Sequence, residues 1–314
     1  MSGLINEFSW SKSRANVFSE CPRRYWFQYY GAWGGWDGSA SPAAREAYQL
    51  KQLTNRWAWI GATVHVAVER IITSIRLGAM LDEAAAQKWL IERLREQFKE
   101  SLSKKYKVYP KSSLGLVEHE YGPDPGAHVW KELTDKAARC LTEFYSSPYA
   151  HTLPNLPRDC WLPIEELESF QIARDDDGTD AVRVFVKLDL AYRREVKPGL
   201  RGVEIVDWKT GKDNAPDPIQ LACYALYAHA KGWVVSPEQV ITCEYNLATG
   251  HARESYVTHG MLEAARKTIL DSADVMRVNL APGNVAAKED FKPTPTKYAC
   301  RGCNFQRICP ERAT

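Results

Sequence analysis

The stretch from Val203 to Lys212, Val-Glu-Ile-Val-Asp-Trp-Lys-Thr-Gly-Lys, restricts the fold more than any other part of the chain. Val203, Ile205 and Val206, followed by Trp208, are the residue types of a short buried strand, and Thr210-Gly211 offers its exit into a turn. Successive side chains of a strand point to opposite faces. Asp207 and Lys209 therefore project together, and Glu204, Val206 and Trp208 point the other way. Upstream, the run from Val182 to Leu190 reads as a second strand with Asp189 near its end. If the two strands pair, Asp189 and Asp207 come close enough to hold a divalent cation between them. Two carboxylates beside a lysine suit metal-assisted hydrolysis of a phosphodiester. Hard oxygen ligands take Mg²⁺ or Mn²⁺, the metal polarises the phosphoryl group and activates water, and the lysine steadies negative charge. Taken alone, Asp-x-Lys is a weak motif and reads first as a strand-end ion pair.

Three further features join it. Gln220-Leu221-Ala222-Cys223-Tyr224 falls in the next predicted helix, Gly61 to His65 gives Gly-x-x-x-His, and Cys21 stands far from a C-terminal trio, Cys300, Cys303 and Cys309. With Asp189 and the Asp207-Trp208-Lys209 strand, this set resembles the PD-(D/E)XK nuclease superfamily. Within it, the set is similar to the RecB-like branch and its iron-sulfur subgroup, which includes CRISPR-associated adaptation exonucleases and the AddB nuclease domain. The resemblance runs from about residue 9 to residue 310. Lys187 departs from it, standing where the family pattern has glycine before the catalytic aspartate.

The resemblance implies an α/β, restriction-endonuclease-like fold. A mixed central sheet is flanked by helices, with a helical insertion and a cluster-bearing lobe formed by both termini. It implies that Asp189, Asp207, His65 and the backbone carbonyl of Trp208 bind Mn²⁺ or Mg²⁺, and that Lys209 lies near the attacking water and the scissile phosphate. Gln220 and Tyr224 position the DNA strand or order the lysine. Lys212, Arg193 and Arg194 are candidate phosphate contacts or plain surface charges. Glu165 or Glu166 matches an acidic position of the family, and the sequence does not choose between them.

The 314 residues carry 45% hydrophobic residues, sufficient for a sizeable core. No apolar run is long enough to cross a bilayer and the first residues lack a leader pattern, so a cytoplasmic protein is expected. The net charge of +2 does not by itself point to nucleic acid, and any basic groove must be local. In an intracellular chain, eight cysteines argue for ligation where they are spaced as ligands. Cys140, Cys160, Cys223 and Cys243 are scattered in apolar surroundings and read as core.

Along the chain, a short helix capped by Ser11 or Ser13 leads to Cys21, and a Gly/Trp/Ser/Pro-rich loop spans 31–44. Residues 1–60 form the N-terminal cluster segment and loop. Residues 61–160 form a helical region, with helices at Ile60 to Leu77, Leu81 to about Tyr106 and Ala127 to about Tyr145. The nuclease core occupies 161–258. It starts with strands at Ile164 to Ile172 and Val182 to Tyr192 joined by an Asp175-to-Gly178 turn, which lacks the ligand spacing of a calcium loop. A helix from Pro218 to Ala230 and a hairpin across Thr249-Gly250 complete it. Residues 259–314 hold a last helix, Met261 to Leu280, and the cysteine trio.

A four-thiolate set binds zinc or an iron-sulfur cluster, and ligand chemistry barely separates them. The resemblance implies a structural [4Fe–4S] cluster tying both ends of the chain. The expected activity is a metal-dependent DNA exonuclease acting on single strands or DNA ends. The alternative is a non-catalytic DNA-end-binding or processing adaptor serving an integrase or helicase partner. No phosphate-binding Gly-x-x-x-x-Gly-Lys-Ser/Thr loop is present, so unwinding would need another subunit.

Overall fold

The computed structural model describes residues 5–163, 166–174 and 180–313. Four small helical elements open the chain, α1 (Lys12–Glu20), α2 (Pro22–Trp26), a π-turn at Phe27–Gly31 and α3 (Pro42–Lys51). The Ser11 hydroxyl caps α1 by accepting from the Arg14 amide, satisfying one of the unpaired N–H groups of a helix start. Three long helices follow: α4 (Arg56–Arg76), α5 (Glu83–Leu102) and α7 (Ala127–Ser146). They pack on one another. Short pieces lie between and after them, α6 (Val117–Tyr121), α8 (Pro148–Thr152) and a two-residue parallel pairing of β1 (Leu53–Thr54) with β2 (Gly115–Leu116).

Strands β3 (Leu167–Ile172) and β4 (Val182–Lys187) form an antiparallel pair. The expected turn at Asp175 to Gly178 lies outside the described residues. A mixed four-stranded sheet comes next, in the order β5 (Leu190–Lys197), β6 (Leu200–Lys209), β7 (Val240–Asn246), β8 (His251–Tyr256). β6 and β7 run parallel, which requires a crossover, and α9 (Pro218–Ala230) provides it. The chain ends with α10 (His259–Arg277), packed on α9, and α11 (Lys297–Arg301) in the cysteine segment.

The single strand expected from Val182 to Tyr192 is two strands in two sheets. Leu188 and Asp189 separate them, and Asp189 is spent on a bond outside any ladder: its Oδ2 accepts the Trp208 amide at 2.9 Å. Similarly, α3 takes up residues expected to end a loop, because Ser41 caps it and Pro42 starts it.

β6 is the inner strand that carries the site, and both its faces are covered. On the rear face Trp208, 1% exposed, meets the rings of Phe144, Tyr149 and Tyr245 edge-on at 5.6, 5.1 and 5.8 Å between centroids. The same face buries Glu204, whose carboxylate accepts from Tyr149 at 2.9 Å and Tyr192 at 2.7 Å and pairs with Arg194 at 2.7 Å. On the front face Asp207 lies under α9. The termini also meet. Arg23 donates to the Phe291 carbonyl at 3.0 Å and to Glu311 at 2.7 Å, and Phe27 stacks on Phe305 with centroids 5.2 Å apart.

Candidate active site

Register brings the two aspartates together. Leu190 on β5 stands opposite Val206 on β6, so one further step sets Asp189 opposite Asp207. The Trp208 amide then holds Asp189 at the strand end, and His65 Nδ1 lies 3.2 Å from its other oxygen. His65 arrives on α4. Gly61, one turn earlier on the same helix, is what lets α4 come so near: a Cβ at 61 would stand 2.9 Å from the Thr210 hydroxyl oxygen at the exit of β6.

Asp207 is 4% exposed and richly contacted. Gln220 Nε2 donates to its Oδ1 at 2.9 Å and Tyr224 donates to the same oxygen at 3.1 Å. Gln220 also donates to the Tyr224 oxygen at 2.7 Å, so the Gln-x-x-x-Tyr pair acts as one bracket on successive turns of α9. Lys209 forms an ion pair with Asp207 Oδ2 and donates to Gln220 Oε1 at 3.4 Å. Burial and then the Asp189 charge push the Asp207 carboxyl above its ordinary range, against the pull of Lys209. Burial pulls the Lys209 ammonium down, but Asp207, and behind it Glu244 and Asp189, leave it raised overall. Lys209 is thus a cation held among carboxylates.

The structure brings together His65, Asp189, Asp207, Lys209, Gln220 and Tyr224. It leaves Lys212 exposed on the loop after β6. Arg193 and Arg194 are engaged elsewhere: they pair with Val203 and Gly202, four and five residues down β6 from Asp207, or roughly 13–17 Å away. Arg193 donates to the Trp233 carbonyl at 3.0 Å, and Arg194 neutralises Glu204 on the rear face. Both thus lie well away from the paired aspartates. Glu166 is exposed just before β3, and Glu165 lies outside the described residues. The sequence reading missed Glu244, which pairs in register with Asp207, is 6% exposed and faces Arg253 at 3.7 Å. The signal was an acidic residue inside the apolar run from Val240 to Tyr245.

Cys21, Cys300, Cys303 and Cys309 line one cavity with Arg24, Phe27 and Phe305. Backbone amides of Thr294, Ala313 and Phe305 donate to the sulfurs of Cys21, Cys300 and Cys303, each at 3.4 Å. Burial pushes the Cys303 thiol up to about 11, with Cys21 and Cys309 among the charges adding to the rise. Among the described residues, no three His, Cys, Asp or Glu side chains stand as a ready-made metal cage. No helix among the described residues is long and apolar enough to cross a membrane.

No curated protein matches the chain. A solved structure titled "Crystal structure of SSO0001" is similar at 12% identity, covering 70% of this chain and 86% of that one, with a TM-score of 0.32, too low to carry an argument. The family model of the PD-(D/E)XK nuclease superfamily, by contrast, matches residues 9–310 and so takes in both aspartates, the lysine, the histidine and the cysteines. The chain belongs to the PD-(D/E)XK nuclease superfamily.

Proposed function

We propose that this chain is a metal-dependent deoxyribonuclease of the RecB-like, iron-sulfur type, working as an exonuclease on single-stranded DNA or DNA ends. One observation carries the reading: Asp189 and Asp207 meet at the end of β6, with His65 on one side and Lys209 on the other. Carboxylate oxygens, an imidazole nitrogen and the Trp208 carbonyl are a donor set that suits Mg²⁺ or Mn²⁺. A cation held there supplies Lewis-acid polarisation of the scissile phosphoryl group and acidifies water. The chain's own groups do the rest. Lys209 offers an ammonium to charge developing on the phosphate, and Gln220 and Tyr224 hold Asp207 in one rotamer through the hydrogen bonds they donate.

The four cysteines suit a [4Fe–4S] cluster because they line one cavity and backbone amides donate to three of the sulfurs, as hydrogen bonds around ligating sulfurs do. The role is structural, joining residues near both ends.

The test is cleavage of end-labelled single- and double-stranded DNA by anaerobically purified protein with Mn²⁺ or Mg²⁺, beside Lys209→Ala and Asp207→Asn. Each variant is expected to lose at least about a hundredfold in rate. Cleavage at the wild-type rate by both would remove the catalytic assignment. A brown protein containing iron supports the cluster; a colourless one containing zinc rejects it.

A further inference from the structure

The same face of α4 that carries Gly61 and His65 also carries Trp57, one turn before the glycine and two before the histidine. Trp57 is 59% exposed, although nine other residues of this helix are buried. Its ring lies beneath the Arg56 guanidinium at 3.8 Å. Both residues border an open groove at the start of α4, whose further walls include Arg24, Tyr298 and Arg301. Tyr298 is 92% exposed. The carboxylates in the same walls are already paired, Glu20 with Arg24 at 2.5 Å and Glu118 with Arg56 at 3.3 Å. Among the described residues no carboxylate is paired with Arg301.

Exposed rings beside arginines are what a single-stranded nucleic acid needs, since bases stack on aromatic faces and phosphates seek guanidinium groups. Geometry gives the groove its place. Eight residues of helix separate Trp57 from His65, a distance of ~12 Å along the axis, which an extended strand covers within a few nucleotides. An apolar partner helix would find too little apolar surface and too many cations here.

Resting on the nuclease reading above, we infer that the groove at the N-terminus of α4 holds the single strand a few nucleotides from the scissile phosphate. Trp57 and Tyr298 are its stacking surfaces and Arg301 its phosphate contact. Bases bound there are read by their rings, so recognition is tolerant of sequence. The groove thereby extends the substrate site from a phosphodiester to an oligonucleotide.

The test measures binding without turnover, by fluorescence anisotropy of a fluorescein-labelled oligothymidylate of about fifteen nucleotides. Ca²⁺ replaces Mg²⁺ or Mn²⁺, and gels check that the probe stays intact. Trp57→Ala should weaken binding about tenfold, whereas Trp57→Phe, which restores a ring, should stay within about threefold of wild type. Arg301→Ala should flatten the dependence of log affinity on log salt by about 0.7. Thermal melting confirms folding of each variant, which the exposure of both side chains favours. Wild-type affinity in Trp57→Ala, or equal losses in the Ala and Phe variants, would overturn the inference. So would a wild-type protein that does not bind the probe. Because nothing is cleaved in this assay, its failure leaves the Lys209 and Asp207 result standing, and failure of that result leaves this one readable.

Discussion

Gln220 donates to both Asp207 and the Tyr224 oxygen, and its own oxygen accepts from Lys209. A single amide therefore spans the carboxylate, the phenol and the ammonium, and its three bonds fix which way the amide faces. Gln220→Ala removes the bracket but leaves every group of the proposed metal set in place. The expected result is a loss of about 10- to 100-fold in affinity for Mn²⁺, read by titrating activity or by calorimetry, with little change at saturating metal. Tyr224→Phe should do less, because Gln220 still reaches Asp207. Equal metal affinity in Gln220→Ala and wild type would show the amide to be a bystander. Such a bracket was readable in outline, since a glutamine and a tyrosine four apart on a helix must share a face. Which oxygen they would grip was not readable, because that depends on how α9 lies over β6.

At the level of elements, close approach decides more than hydrophobic pattern does. Gly202 on β6 leaves no room for a side chain, since a Cβ there would stand 2.0 Å from the Gln239 carbonyl oxygen in the turn that leads into β7. Backbone cannot swing aside as a flexible side chain can. Gly202→Ala should destabilise the fold by about 1–3 kcal/mol in chemical denaturation. Gly260→Ala, in a helix with open space around the added carbon, should be neutral or slightly stabilising. If both changes cost the same, steric contact is not the cause. The long helices and β6 were legible from periodicity, as α4 and α7 show. The break at Leu188-Asp189 was not, because a run of alternating apolar residues looks continuous whether it serves one sheet or two. Nor could spacing tell that Arg194 would turn to buried Glu204 on the face opposite Asp207.

Across the whole molecule, charged side chains tie the C-terminal segment to earlier parts of the chain. Glu120 on α6 accepts from Tyr106 at 2.6 Å, lies 3.3 Å from Lys107, and forms an ion pair with Arg307, which also reaches Glu46 at 2.7 Å. Burial alone would raise the Glu120 carboxyl, but the Tyr106 hydroxyl, Lys107 and Arg307 leave it below the ordinary carboxylate range. A carboxyl lowered in the folded state stabilises the fold above its unfolded value and loses that contribution as pH falls through the folded value. Glu120→Gln should therefore lower the melting temperature at neutral pH, and its gap from wild type should close in acid, below the normal range for a glutamate. A gap of constant size at every pH would assign the effect to packing. No stretch of sequence announces this cluster, since its members come from parts of the chain brought together only by folding.

Trp208 has a ring clasped from behind by Phe144, Tyr149 and Tyr245 and an amide that points forward to Asp189. Loosening that aromatic socket, for example with Phe144→Leu, would let the peptide plane tilt and shift one carboxylate relative to the other. Damage to cleavage can thus originate on the face of the sheet opposite Asp207, and a screen for weakened variants should find a second group of hits there.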